Sequence, residues 1–272
     1  MLDHPQNDIF IHMDAKNKLY NPSDTLKLVK FSNIYHTRRI KVAWGGYSQI
    51  EAEMILLEAS TENGSYEHYH LLSGADLPIK KQEDIIAFFE EHHGLEFVSF
   101  QSDIFPADHE VRVRFYHPLQ EYVGRDRKFF TRVRNFSIRK LNGACIKFQK
   151  LFQKITRRER NRGINFQKGS NWFSITDELA RYVLTQKDWI RKVFCYTFCC
   201  DEVFLHTIVR ASDFRNRLFR NNARFIDWKR GGPYVFTIDD LEEIKQSEAM
   251  FARKFDETKD AAIIREIQKL YS

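Results

Sequence analysis

Two consecutive carboxylates precede an apolar stretch late in the chain. Asp201 and Glu202 follow Cys200 and lead into Val203-Phe204-Leu205. Because Asp is a favoured N-cap residue, the pattern predicts a helix capped by Asp201, with Glu202 in its first turn. The positive end of a helix dipole favours an ionised carboxylate there. At the edge of a cleft such a carboxylate can act as a general base, although an acidic first turn is more often plain capping.

The rest of the chain alternates between short apolar runs and segments with helical spacing. Apolar runs that end at turn residues predict strands, and apolar side chains at helical spacing predict helices. The predicted strands are 8–13, 41–44, 68–72, 97–100, 171–175 and 223–228, and the predicted helices are a polar one from 23, 48–62, 85–91, 177–184, 202–209 and a tail from 241. This alternation favours an α/β fold with a mostly parallel sheet and helices on both faces.

Four acidic or small residues follow the predicted strands directly. Asp14 ends the first strand, Gly45 and Gly46 end the second, and Asp76 lies in the loop after the third. In open α/β sheets, ligands bind beyond the carboxyl ends of the strands, so we expect these residues at one site. The glycines would allow a close backbone approach, whereas a loop Asp such as Asp76 often just caps the next helix.

The charge is concentrated in one segment. The chain of 272 residues is 43% hydrophobic and carries a net charge of +6. Residues 125–162 hold fourteen Lys and Arg against Asp126 and Glu159, so this segment carries +12 and the remainder −6. Apolar residues recur within it at near-helical spacing, which predicts a cationic amphipathic helix or helix pair. They are Phe130, Val133, Phe136, Leu141, Cys145, Phe148, Phe152 and Ile155.

Composition also limits the compartment and the partners. No run approaches the ~20 apolar residues of a membrane span, and the first residues are not a signal peptide. The cysteines show neither zinc nor disulfide spacing, so we interpret them as reduced thiols of a cytosolic protein. They are Cys145, Cys195, Cys199 and Cys200. No nucleic-acid motif accompanies the basic segment, whose interleaved apolar residues suit an anionic membrane surface better. Alternatively, its apolar stripe packs on the domain.

Five motifs occur in a fixed order between about residues 8 and 256. They are Trp44-Gly45-Gly46-Tyr47-Ser48, Leu72-Ser73-Gly74-Ala75-Asp76-Leu77-Pro78-Ile79-Lys80, Lys168-Gly169-Ser170-Asn171-Trp172, Cys200-Asp201-Glu202 and Phe251-Ala252-Arg253-Lys254-Phe255-Asp256. Together they resemble the core-2/I-branching glycosyltransferases, glycosyltransferase family 14, which includes the peptide xylosyltransferases. The resemblance implies a GT-A-type nucleotide-sugar-binding fold, with 1–272 as a single domain and 125–162 as a helical insertion.

The resemblance also implies a reaction. It is an inverting transfer of a sugar, GlcNAc or xylose, from a UDP-sugar to an acceptor hydroxyl, with no metal or other cofactor. Asp239 and Asp240 lack the intervening residue of the metal-binding Asp-x-Asp motif, and His12-Met13-Asp14 has one carboxylate. Without a metal, fixed cations must neutralise the leaving diphosphate.

Roles for individual residues follow from the same resemblance. Glu202 matches the catalytic base, and Lys254 matches a diphosphate-binding lysine. Arg230, or the adjacent Lys229, is the candidate for a matching arginine. The implied donor contacts are Asp14, Gly45, Gly46, Arg230 and Lys254, and the implied acceptor contacts are Asp76 and Trp172.

In one respect the chain departs from the family pattern. The family places a further strand and helix before the segment that matches 8–12, so we expect the sheet to lack an interior strand and part of the donor pocket. The leading hypothesis is a bacterial-type enzyme at the cytoplasmic face of the inner membrane, acting on a glycan or lipid-linked saccharide. The alternative is a non-catalytic or degenerate member that binds an anionic polymer or membrane through its basic segment.

Overall fold

Ten helices and seven short strands make up the part of the chain that the computed structural model describes, residues 1–123, 129–156 and 158–271. The helices are α1 Pro22–Leu26, α2 Tyr47–Asn63, α3 Gln82–Glu91, α4 Glu110–Arg114, α5 Phe129–Thr156, α6 Asp177–Thr185, α7 Lys187–Phe194, α8 Phe204–Arg210, α9 Leu241–Gln246 and α10 Ala261–Tyr271. The strands are β1 Asp8–Ile11, β2 Asn33–His36, β3 His68–His70, β4 Asp76–Pro78, β5 Ser174–Thr176, β6 Arg224–Ile226 and β7 Phe251–Arg253.

The strands form three small sheets, so the prediction of one mostly parallel sheet is not confirmed. β1 pairs with β2 in parallel, β3 pairs with β5 antiparallel, and β7 lies between an antiparallel β4 and a parallel β6. Apolar runs locate strands but do not specify their direction, which depends on how the connections run. In the third sheet Asp76 lies directly opposite Arg253.

The second strand lies earlier in the chain than predicted. It is β2, where Tyr35 pairs with Phe10 of β1 and their rings stack 4.7 Å apart. The predicted strand at 41–44 is wrong, because this segment forms the turn that starts α2. The Ala43 amide donates to Ser48 Oγ over 2.8 Å, and the Gly46 amide donates to the Ala43 carbonyl over 3.1 Å.

Three apolar clusters form the core of the described residues. The largest contains Ile50 of α2, Leu179 of α6 and Phe204 of α8. A second contains Phe89 of α3 and Phe251 of β7, and a third joins α9 and α10. Each fully buried side chain of this size contributes about 1.5–3 kcal/mol. The first cluster fixes the turn that carries Glu202, and the second fixes β7.

An open cleft separates the first sheet from the second. The edge of β1 away from β2 and the edge of β3 away from β5 have no strand partner among the described residues. Residues of both strands line the same cavity of about 1750 Å³. Both edges therefore border the cleft.

The described part of the basic segment begins with one long helix, α5, as the sequence predicts. Residues 125–128 and 157 of the predicted insertion lie outside the described residues. Among the described helices, none has both the length and the apolar composition needed to cross a bilayer.

Candidate active site

The large cleft collects half of the predicted site residues. On its wall lie Asp14, Trp172, Glu202 and Lys254. Gly45, Gly46, Asp76 and Arg230 are not among the residues that line it. The cleft also exposes basic residues that the sequence analysis did not single out, namely Arg112, Lys168 and Arg253.

Glu202 lies in a turn before α8, so the prediction of a first-turn carboxylate capped by Asp201 is wrong. The helix begins at Phe204, whose amide donates to the Cys200 carbonyl over 3.0 Å. Glu202 is held by cations instead of by a helix dipole. Its Oε2 lies 3.4 Å from Arg112 Nη1 and 3.3 Å from Lys168 Nζ. Since 34% of the side chain stays exposed, the carboxylate is fixed yet accessible from the cleft.

The neighbouring carboxyl, Asp201, is buried and holds two other segments by hydrogen bonds. It accepts hydrogen bonds of 3.1 Å from Gln49 Nε2 of α2 and from Asn171 Nδ2. Burial, followed by the charge of Glu202, raises the pKa of Asp201 to about 6. Burial also raises the pKa of Glu53, another carboxyl on the cleft wall, well above its ordinary value. Asp201 therefore links α2 and the Asn171 loop to the turn that carries Glu202.

Gly169 brings the Lys168 loop against that turn. Its amide donates to the Glu202 carbonyl over 3.0 Å. A Cβ at this position would lie 1.9 Å from the Ser99 backbone oxygen and 2.4 Å from His206 Nε2. Only glycine fits such an approach, and the approach places the Lys168 ammonium beside the Glu202 carboxylate.

Arg253 and Lys254 supply positive charge at the end of β7. Arg253 Nη1 lies 2.7 Å from Asp76 Oδ1 and 2.6 Å from Ser73 Oγ, and its guanidinium lies 4.2 Å from the centroid of the Trp172 ring. The Asp76 side chain is only 4% exposed, so its contacts hold Arg253 in place. The backbone of Lys254 bonds to Tyr234 and Phe236, but its ammonium makes no hydrogen bond or salt bridge with a described residue and lies on the cleft wall, where an anion can reach it.

Arg230 is engaged elsewhere. Its guanidinium contacts the carboxylates of Asp227, Asp240 and Glu243, the last at 2.8 Å. Hydrogen bonds with Asp227 and then with Asp240 raise the pKa of Arg230. An arginine already bound to three carboxylates and absent from the cleft wall is poorly placed to hold a diphosphate. Arg253, unlike Arg230, lies on the cleft wall beside Lys254.

Gly45 and Gly46 serve the turn that starts α2. Gly45 has φ +71°, and a Cβ there would lie 2.8 Å from the Phe198 ring. A Cβ at Gly46 would lie 2.5 Å from Glu121 Oε1, which accepts a hydrogen bond from the Ser48 amide over 3.0 Å. The close approach that these glycines allow is therefore to the protein itself. The structure does not bring them to the cleft.

Asp14 lies on the cleft wall just beyond β1, where Lys16 Nζ is 3.1 Å from its carboxylate. In the described ranges no group of three His, Cys, Asp or Glu side chains is arranged to hold a metal ion. Asp240 is used internally, since it accepts from the Thr237 amide over 2.7 Å and contacts Arg230.

Sequence reasoning missed three basic residues of the cleft. Arg112 lies on α4, a helix that no apolar periodicity indicated. Lys168 and Arg253 stood inside recognised motifs but received no role. For Arg253 the signal was position, because it directly precedes Lys254, which already carried an interpretation. Lys168 begins the motif that contains Trp172, but nothing in the sequence pointed to Lys168 itself.

Comparison with known proteins finds one matching family model and several similar curated proteins. The family model described as Core-2/I-Branching enzyme matches residues 1–248. Xylosyltransferase 2 of Rattus norvegicus is 23% identical over 288 residues, covering 96% of this chain and 30% of the relative. The Xylosyltransferase of Ciona intestinalis is 22% identical, covering 98% and 31%, and Xylosyltransferase 1 of Homo sapiens is 21% identical, covering 97% and 27%. The chain thus spans less than a third of the length of these curated relatives.

A side chain at position 169 should push the Lys168 loop away from Ser99 and the turn that carries Glu202, and so destabilise the fold. Gly169→Ala forces its methyl group against the Ser99 carbonyl, so we expect unfolding to become easier by about 1–3 kcal/mol. Urea denaturation measures this change. Gly64→Ala is the matched control, because a Cβ there meets nothing within 4 Å. Equal stability of both variants would contradict the proposed close packing.

The raised pKa of Asp201 predicts a pH-dependent stability. Its folded-state pKa of about 6 exceeds the ordinary 3.8, so its proton stabilises the fold fully below pH ~3.8, and this contribution is lost as pH rises through about 6. Asp201→Asn stays neutral. The unfolding free energy of the parent should therefore fall relative to Asp201→Asn between pH 4 and 7, by at most about 3 kcal/mol. The exposed Asp239→Asn should show no such difference.

Proposed function

The chain belongs to the core-2/I-branching enzyme family, and we propose that it transfers a sugar from a nucleotide sugar to an acceptor hydroxyl. The observation that carries this proposal is the Glu202 carboxylate, fixed between two cations and open to a cleft that also exposes Lys254. A fixed, accessible carboxylate suits a general base, and an unpaired ammonium suits an anionic leaving group.

In the proposed reaction Glu202 accepts the proton of the acceptor hydroxyl as that oxygen attacks the anomeric carbon. Attack opposite the leaving group in a single displacement inverts the configuration at that carbon. Arg112 and Lys168 orient the carboxylate, and Asp201 braces the turn that carries it. The base therefore needs no movement to reach a hydroxyl that enters the cleft.

Arg253 and Lys254 are the proposed contacts of the leaving diphosphate, in place of a metal ion. Arg253 is oriented by Asp76 and Trp172, which makes it a rigid partner for phosphate oxygens. The family match ends at residue 248, so this assignment rests on geometry and on the motif around Lys254. Fixed cations at a developing negative charge stabilise the transition state without reorganisation.

The donor is a UDP-sugar in this proposal, with UDP-xylose and UDP-GlcNAc as the two candidates. The relatives named xylosyltransferases favour UDP-xylose, and UDP-GlcNAc is the donor that the sequence resemblance implies. Asp14 on the cleft wall is the proposed contact of the nucleoside. The acceptor would be a glycan or a lipid-linked saccharide, presented at the cytoplasmic face of the inner membrane.

Glu202→Gln keeps the side-chain shape and removes the basicity. We expect kcat to fall by about 10²–10⁴-fold with little change in UDP affinity, because general-base catalysis contributes on this scale. UDP release from each donor, with acceptor added, measures kcat. The exposed Glu62→Gln should behave like the parent. Near-normal turnover by Glu202→Gln would remove Glu202 from this role.

Donor binding should depend on Lys254 and persist in EDTA. Losing a charge-assisted contact should weaken UDP binding of Lys254→Ala about 10–100-fold in calorimetry. Lys229→Ala is the control, because Lys229 is an exposed basic residue outside the cleft wall. Strict dependence on Mn²⁺ or Mg²⁺ would contradict the metal-free proposal. Absence of UDP release from both donors would favour a non-catalytic family member.

A further inference from the structure

Helix α5 presents three different faces. The face toward the protein body contains Ile138 and Asn142, both buried, and the side chains of Gln149 and Gln153. Gln149 bonds both the amide and the carbonyl of Tyr116, over 2.8 and 3.1 Å, and Gln153 Nε2 donates to a carbonyl of α4 over 3.2 Å. Spacings of four, seven and four residues keep these four side chains on one side of the helix. This face therefore attaches the helix to the protein body.

A second face is apolar and points away from the body. Its members are Leu141, Phe148, Phe152 and Ile155, with side-chain exposures of 58%, 69%, 52% and 73%. Spacings of seven, four and three residues align them in one stripe. The apolar stripe of α5 therefore does not pack on the domain, since another face of the helix does. An exposed aromatic and aliphatic stripe of this length marks an interaction surface.

The third face is basic. Lys140, Lys147 and Lys154 follow at intervals of seven residues, with Lys150 beside them. All four are exposed, and the helix contains seven Lys and Arg but no Asp or Glu. The charge of this face is therefore uncompensated within the helix, and it runs parallel to the apolar stripe.

We propose that α5 lies flat on an anionic lipid bilayer, with the apolar stripe in the headgroup boundary and the lysines against lipid phosphates. A bilayer surface offers an apolar layer next to negatively charged phosphates, which matches an apolar stripe beside a row of lysines. A nucleic acid would pair with the lysines but leave the phenylalanines in water. A second copy of the helix would cover the apolar stripe but bring seven further positive charges to it.

The anchoring of α5 connects this surface to the cleft. Gln149 and Gln153 bond to the backbone of Tyr116 and Arg114, and Arg114 lies two residues after Arg112, the residue that contacts Glu202. A docked α5 would thus keep the candidate base close to the bilayer. Resting on the proposed function, this geometry favours an acceptor attached to a lipid over a free saccharide.

Vesicle co-sedimentation of the full chain tests the surface. We expect binding to phosphatidylcholine vesicles that contain phosphatidylglycerol, weakening with salt, and at least tenfold less binding to phosphatidylcholine alone. The combined change Leu141→Ser, Phe148→Ser and Phe152→Ser should reduce binding at least tenfold. Its control is Leu19→Ser, Leu28→Ser and Ile104→Ser, which alters three side chains of 94%, 76% and 80% exposure elsewhere.

The charges are tested in the same way. Lys147→Glu with Lys154→Glu should abolish binding to the anionic vesicles, whereas Lys18→Glu with Lys41→Glu, an equal change in net charge, should not. All of these side chains are exposed, so unchanged circular dichroism is expected for every variant. Equal binding to neutral vesicles, full binding by the α5 variants, or binding to duplex DNA without vesicle binding would overturn the proposal. Self-association lost on mutating the apolar stripe, without vesicle binding, would also overturn it.

UDP release with a soluble acceptor separates this proposal from the proposed function. If the α5 variants keep that activity but lose transfer to an acceptor embedded in vesicles, both proposals are supported. If the parent binds anionic vesicles but releases no UDP from either donor, the catalytic proposal fails and the membrane surface stands.

Discussion

The close approach of residue 169 to the backbone of Ser99 and Glu202 is the contact on which the site depends. It leaves no room for a side chain, and it brings the Lys168 loop against the turn that carries Glu202. Once Gly169 is in place, Lys168 lies beside Glu202 and Asn171 reaches Asp201. Through Asp201 the same contact extends to Gln49 of α2, so one steric constraint positions Glu202 and the residues that support its turn.

Charge pairing then separates supporting residues from residues available to a ligand. Arg230 is bound to three carboxylates, and Asp76 is buried against Arg253. Neither can respond to a substrate without losing these contacts, which would leave charged groups desolvated and unpaired. Glu202 and Lys254, by contrast, face the cleft and keep capacity to bind. The proposed chemistry assigns the proton to one and the diphosphate to the other.

The cleft and helix α5 differ in a similar way, one being a candidate site inside the fold and the other an exposed surface. The cleft is large and partly lined by motif residues, whereas α5 is a surface element whose outward faces contribute nothing to the core. The two are joined through α4 and the segment that follows it, where Gln149 and Gln153 bond to the backbone. A transferase that works on lipid-attached acceptors would need such a connection, because the base must lie where the acceptor is held.

The sequence by itself determined the family, α2, α3, α6 and the long basic helix, because local periodicity and ordered motifs encode these features. It also singled out Glu202 and Lys254 as candidates, and both lie on the cleft wall. It placed the strand at 41–44 wrongly and the start of α8 two residues early, since strand pairing and a backbone turn decide those boundaries. Only the tertiary structure placed Arg112 and Lys168 beside Glu202, put Arg253 rather than Arg230 on the cleft wall, and showed which face of α5 is free. These are relations between residues distant in the chain, and their distances depend on packing that no single segment specifies.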